Sequence, residues 1–325
     1  MKRIFKISLI TSAVFAFGAC SNFNREFEDY EYTSGYFPYQ YPVRTLILGD
    51  DWTDNSNDNA HKFVISAAMG GVYENTKERA FSVTVDESLC RNLLFTSDGD
   101  EVKPLPSSYY NLSSSDRIVI AKGEYNGGVE VQLTDAFFND PLAIKNTYVV
   151  PMRITGSSDV DTILLSKNFT LFAIKYINEY HGNYLLFGSS SVKDPSGATV
   201  ETTTYTPKYV ENSMNTKLTT TARNQVSASI NFQSNIFSGV LSLLFTFSGN
   251  SCTVSAPAGV DYTVSGSGEF KQFKIGEYEA WSNKDRNGIV VNYTVTNSNG
   301  SYTANETFVI RDRAVVMEVF SPVEK

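Results

Sequence analysis

An all-β fold in two modules is what this sequence predicts, on three observations. Hydrophobic residues make up 42% of the chain and charged residues only 19%; this balance can bury cores but lacks the charged faces of helical proteins. No long segment carries the 3.6-residue apolar period of a helix. Short runs alternate apolar and polar residues instead, with the period of half-buried strands. The runs fall into two groups divided at residues 178–182 (NEYHG), and a length of 325 residues suits about two domains.

Residues 1–19 read as a signal peptide. Lys2, Arg3 and Lys6 form a basic start, residues 7–17 are largely apolar, and Gly18, Ala19 and Cys20 close the segment. The apolar run is shorter than the roughly 20 residues that span a bilayer. Small residues before a cysteine suit a peptidase cleft and leave the Cys20 thiol for diacylglycerol, so lipidation at Cys20 is expected, although Phe17 stands where lipoproteins usually carry Leu. Several acyl chains on one cysteine make a stable anchor. Residues 20–34 form a lipidated tether whose acids Glu26, Glu28, Asp29 and Glu31 resemble, slightly late in position, a surface-export signal of Bacteroidales lipoproteins.

The first module, residues 35–177, holds candidate strands at 43–48, 63–67, 80–85, 117–121, 128–133, 147–155 and 169–176. That number of short strands in this length describes an immunoglobulin-like β-sandwich. Pro151 lacks the N–H of a ladder and predicts an edge or a bulge for its strand. Residues 86–92 (DESLCRN) read as one helical turn capped by Asp86, with Leu89 and Cys90 inward. The second module, residues 178–325, has candidate strands at 183–187, 200–205, 216–221, 225–232, 239–247, 252–256, 269–281, 288–296 and 301–311. Their short connections fit an antiparallel β-barrel or a sandwich.

Few residues carry chemistry. The two histidines, His61 and His181, lack a nucleophile motif nearby, and His181 reads as a packed, hydrogen-bonded residue of the module junction. No metal site is expected. The cysteines and histidines do not cluster as zinc needs. The Asx-rich run 50–59 fails as a calcium loop because Asn59 and Ile65 stand where Gly and Glu are needed. No cofactor motif appears. Cys90 and Cys252 read as small core residues, able to pair only if the modules dock closely. Removing the signal peptide leaves 24 basic against 35 acidic residues, a net of −11 that disfavours nucleic acid as a partner.

What remains is aromatic content: 19 Tyr, 22 Phe and 2 Trp. A flat ring offers an apolar face to the C–H face of a sugar. Trp281 and Tyr278, beside the polar run 282–287, and Trp52, in its Asx-rich loop, are the candidate carbohydrate-binding residues. The alternative for Trp281 is a plug at one end of the barrel, and for Trp52 a ring tucked under the sheet. No catalytic residue is assigned.

Several stretches resemble an N-terminal module of Bacteroidales surface lipoproteins, the domain of unknown function 1735. They are 71–75 (GVYEN) with Arg79, 85–90 (VDESLC), 105–110 (LPSSYY), 127–138 (GGVEVQLTDAFF), 148–154 (YVVPMRI) and 169–182, covering about residues 35–185. The resemblance implies a sandwich module in lipoproteins of polysaccharide-utilization loci, ahead of either an endo-glycosidase or a small β module. About 145 residues follow here, too few for a (β/α)₈ barrel of roughly 250 residues, which points to the binding type. The expectation is therefore an outer-membrane, exterior-facing, lipid-anchored protein that is not an enzyme. Its partners are a glycan ligand, the outer-membrane lipid through Cys20, and an importer complex. The alternatives are an adhesin or structural surface subunit without a sugar ligand, and a small glycoside hydrolase.

Overall fold

The computed structural model describes residue 29, residues 32–275, residue 277 and residues 284–325. Among the described residues strands dominate, and they form the two all-β modules that the alternating runs require.

The first module is a sandwich of two sheets. Its strands are β1 (Ser34–Tyr36), β2 (Pro42–Ile47), β3 (Lys62–Gly70), β4 (Arg79–Val85), β5 (Leu93–Leu94), β6 (Lys103–Pro104), β7 (Tyr110–Leu112), β8 (Arg117–Ile120), β9 (Asn126–Leu133), β10 (Tyr148–Gly156), β11 (Thr162–Ile163) and β12 (Phe169–Ile177). One sheet runs β11-β1-β3-β9-β7; the other runs β2-β12-β10-β4-β8, with β6 beside β10. On β3, Phe63, Ile65, Ala67 and Met69 are buried while Val64 and Ser66 are exposed, so one face enters the core between the sheets.

Pro151 departs from expectation. Its strand β10 is interior, not an edge. The strand pairs with β12 on one side; on the other it pairs with β6 at Tyr148 and Val149 and with β4 from Met152 onward. Pro151 sits in the gap between those partners. Its carbonyl there accepts the Asp86 N–H at 2.8 Å, and the missing N–H falls in the same gap, where no ladder bond is lost. The strand is also buried on both faces. Val149 joins Cys90, Phe95, Val102, Leu171, Ala173 and Phe320 in a satellite core outside the second sheet. The turn Glu87–Cys90 carries Cys90 into that core, and the Asp86 carboxylate accepts the Ser88 N–H at 3.1 Å as its cap.

The second module is a closed barrel. Its strands are β13 (Gly182–Lys193), β14 (Thr199–Thr204), β15 (Met214–Ala222), β16 (Gln225–Asn231), β17 (Val240–Ser248), β18 (Ser251–Ser255), β19 (Thr263–Phe273), β20 (Arg286–Asn297) and β21 (Gly300–Asp312). Each pairs antiparallel with its neighbour, and β13 pairs with β21 to close eight strands, β13 and β15 to β21, on themselves. An eight-stranded barrel is just wide enough for side chains to fill, and this interior is a single apolar cluster that includes Tyr184, Leu218, Val226, Phe245, Tyr293 and Phe308. The strand expected at 269–281 is β19, which begins six residues earlier and ends at Phe273.

Residues after Asp312 leave the barrel. β22 (Glu318–Val319) pairs with β2, and β23 (Val323–Glu324) pairs with β5. Phe320 fills the satellite core, and Lys175 holds Glu318 at 2.8 Å. This end, read from the sequence with the second module, is a strap across the first.

Candidate functional site

The loop after β2 is built rigidly from its own polar residues. The Asp58 carboxylate is buried, pairs with Arg44 and accepts the Ile47 N–H at 2.9 Å. The Asn55 amide donates to the Ile47 and Gly49 carbonyls at 2.8 and 2.7 Å. Gly49 has φ +81°, and a Cβ there would stand 2.4 Å from the Glu179 Cβ, so a glycine is required on both counts. The Asx run is therefore a folded platform for the next residues, Asp50, Asp51 and Trp52.

Arg313, at the end of the barrel, fixes that platform against the second module. It is 4% exposed. Its guanidinium donates to the His181 carbonyl at 2.9 Å, Asp50 at 2.7 Å, Leu48 at 3.0 Å and Asn178 at 2.6 Å. Burial pulls its pKa below the ordinary arginine value. Asn287 adds a bond from its amide to the Asp50 carboxylate at 3.0 Å. His181 is packed beside this network, its Nδ1 accepting the Thr220 N–H at 3.0 Å, and burial first, then Lys217, Arg313 and Lys175, pull its pKa down to about 4.

Together these contacts place Trp52 at a cleft of about 170 Å³ lined by Asp51, Glu179, Gln272, Lys284, Asp285 and Asn287, among others. The cleft is smaller than the roughly 300–1,000 Å³ of drug-sized ligand pockets. Trp52 is 41% exposed. The Lys284 ammonium and the Arg286 guanidinium lie 4.8 and 4.5 Å from its ring centre, in cation–π contact. Asp285 accepts Lys274 at 2.7 Å and the Ile275 N–H at 3.1 Å, and these bonds hold its carboxyl below the usual range.

Of the residues singled out from sequence, Trp52 lies in this cleft. Cys20, Tyr278 and Trp281 lie outside the described residues, but Gln272 and residues 284–287, on either side of Tyr278 and Trp281, line the same cleft as Trp52. Lys284 and Arg286 belong to the polar run 282–287 that the sequence marked; Arg313 carried no sequence signal, because its partners Leu48, Asp50, Asn178 and His181 are far away along the chain.

The cleft holds the carboxylates Asp51, Glu179 and Asp285, but the carboxyl with a raised pKa lies elsewhere. Among the described residues, the carboxyl that burial pushes upward, to about 7, is Glu306, inside the barrel and not in the cleft. His61, with φ +61°, packs on Phe138 at 4.1 Å. Cys90 and Cys252 are free and buried in separate cores, and burial pushes each thiol up to about 12. No group of three or more His, Cys, Asp or Glu among the described residues could hold a metal ion. No helix among them is long and apolar enough to cross a membrane.

A family model described as Domain of unknown function (DUF5627) matches residues 179–314, and another, described as an N-terminal domain, matches residues 30–161. A crystal structure of a Bacteroides ovatus protein of unknown function is 34% identical, with a TM-score of 0.82 over 90% of this chain and 99% of its own. A second Bacteroides ovatus structure of unknown function is 12% identical over 89% of this chain and all of its own, with a TM-score of 0.44. A third, provisionally named a carbohydrate binding protein from Bacteroides ovatus ATCC 8483, is 14% identical over 89% of this chain and 99% of its own, with a TM-score of 0.31. At those two TM-scores the likeness carries no argument about this chain. No curated protein matches.

Proposed function

We propose, from the premise that this chain belongs to the same family as the 34%-identical Bacteroides ovatus protein of unknown function, that it is a cell-surface glycan-binding lipoprotein. Cys20 carries the lipid, the sandwich resembling domain of unknown function 1735 stands next to the membrane, and the Trp52 cleft takes a sugar for an outer-membrane importer. One observation carries this reading. A half-exposed tryptophan stands at a junction cleft whose walls are side chains suited to bonding vicinal hydroxyls: Asp51, Gln272, Asp285 and Asn287. The cleft also presents acids beside its cations, in a body of net −11, which favours neutral sugars over polyuronates or sulfated glycans.

The hydrolase reading has less support. Glycoside hydrolysis needs a raised carboxylic acid facing a second carboxylate across the substrate, and Glu306 is walled into the barrel core. The adhesin reading draws on Val316 and Met317, 72% and 82% exposed on the strap. A glycan-array screen of the soluble body, residues 21–325, tests the proposal. Saturable binding without cleavage supports it; polymerisation in solution with no glycan bound favours the adhesin.

A further inference from the structure

Glu306 is a carboxyl in an apolar interior. It projects inward from β21 between Ala304 and Phe308 and is 1% exposed. Its two oxygens accept the Tyr205 hydroxyl at 2.8 Å and the Tyr293 hydroxyl at 2.9 Å. The titratable groups facing it are phenols: Tyr293 from β20, Tyr302 from β21 and Tyr205 from the connection after β14. β13 contributes the neutral Ser190, whose hydroxyl donates to the Gln233 carbonyl at 2.8 Å, and the adjacent Gly188. β19 contributes Gly266 and Gly268, which leave room for the Tyr293 and Val291 side chains. Among the described residues no Lys or Arg acts on the carboxyl, so its ionised form has two phenol donors and no counter-charge there.

The barrel wall breaks at this level. β13 pairs with β15 as far as Leu186 and with β14 from Ser189 onward. At the break the Gly188 carbonyl accepts the Tyr205 N–H at 2.9 Å and the Thr206 hydroxyl at 3.1 Å. A Cβ on Gly188 would stand 2.2 Å from the Asn305 carbonyl oxygen, so the position admits only glycine. The chain from Tyr205 to Ser213 thus seals the gap from two sides. Tyr205 reaches inward to Glu306, and Val210 packs on the outer wall with Leu185, Phe187, Phe273 and Val309.

We propose that Tyr205 and Glu306 form a pH-operated latch in the barrel wall. The neutral carboxyl keeps Tyr205 docked and the 205–213 connection closed. The ionised carboxylate, without a cation beside it, draws water through the break in the ladder and releases that connection. A buried charge lacking a partner is resolved by solvation, and Tyr205, itself half-buried, is the side chain between Glu306 and solvent at the break. Burial pushes the carboxyl up to about 7 while its two phenol bonds pull the other way, which puts the release near neutral pH.

Hydrogen exchange followed by mass spectrometry on peptides spanning 205–213, from pH 5.5 to 8.5 and corrected for intrinsic exchange, tests the latch in the whole soluble chain. The expected result is at least a tenfold rise in protection-corrected exchange across pH 7, confined to that segment, and no rise in Glu306→Gln. A second variant keeps the carboxyl. Tyr293→Phe removes a donor that favours the ionised form, so the midpoint moves to higher pH. Exchange that ignores pH in the parent chain, a pH response that survives in Glu306→Gln, or an unmoved midpoint in Tyr293→Phe overturns the proposal.

Discussion

Arg313→Met is the perturbation that most directly tests how the two modules are held together. The native guanidinium makes four hydrogen bonds, to the Leu48 and Asp50 carbonyls of the first module and to the Asn178 and His181 carbonyls at the junction. A hydrogen bond from a charged donor is worth roughly 1.5–3 kcal/mol, but the four share one group and do not add. Methionine fills much of the volume and leaves four carbonyls to find water, the one at Asp50 most easily because it borders the cleft. A buried carbonyl left without a donor costs about 1–3 kcal/mol, and water relieves part of this for the four, so about 4 kcal/mol in all is expected. At roughly 2–4 °C per kcal/mol for a body of this size, the melting temperature falls by about 8–16 °C. Scanning calorimetry of the parent, Arg313→Met and Arg313→Lys measures this, with Lys recovering only part of the loss because an ammonium cannot reach carbonyls on four sides. A drop of under 2 °C in Arg313→Met would refute the keystone role of this side chain.

Other perturbations test separate parts of the molecule. Glu306 contributes stability that is fully present below its ordinary 4.5 and is lost as pH rises through about 7. Its contribution therefore falls by about 3 kcal/mol across that window. His181, lowered to about 4 by burial, works oppositely and destabilises as pH falls from 6.5. The difference between the parent and Glu306→Gln in urea unfolding at pH 4.5 and 8 isolates the glutamate, and a pH-independent difference contradicts it. Phe320→Ala should cost about 3 kcal/mol by emptying the satellite core, read as a lower urea midpoint; an unchanged midpoint means the strap is not structural. Cys90 and Cys252 should resist a maleimide in the native protein and react only after unfolding, since both are buried with thiols raised to about 12. Labelling of either at native protein concentration and neutral pH argues against those cores.

The alternating runs made the strands legible, because period two with β-branched and aromatic residues leaves little else for these segments to be. Closure of the second module was not legible. It depends on β13 meeting β21 across some 120 residues of chain, from Asn183 against Asp312 to Lys193 against Ser301, and nothing local to either strand marks that pairing. The strap was misplaced for a similar reason: Phe320 looks like the tail of the second module until it is seen in the core around Phe95 and Leu171. Val149 alternates with the core-facing Tyr148 and Val150, yet it too is buried, together with Leu171, by that second core.

The cleft was legible in part. Trp52 stood out as an aromatic ring in a polar loop, and the run 282–287 as polar residues beside Tyr278 and Trp281. Their convergence depends on Arg313, whose role is invisible without coordinates because its four carbonyls come from two distant segments. Glu306 gave no warning either, since a glutamate within a strand reads as solvent-facing until the barrel closes over it.

Calorimetric titration of the parent chain and of Trp52→Ala with a panel of neutral and acidic oligosaccharides tests whether the Trp52 cleft binds a sugar. Trp52 is partly exposed and belongs to no core cluster, so its removal should leave the melting temperature within about 2 °C. A sugar-binding cleft gives saturable binding of a neutral oligosaccharide by the parent chain and an affinity at least tenfold weaker in Trp52→Ala. Equal affinity in the two proteins, or no binding by the parent chain to any sugar, would contradict it.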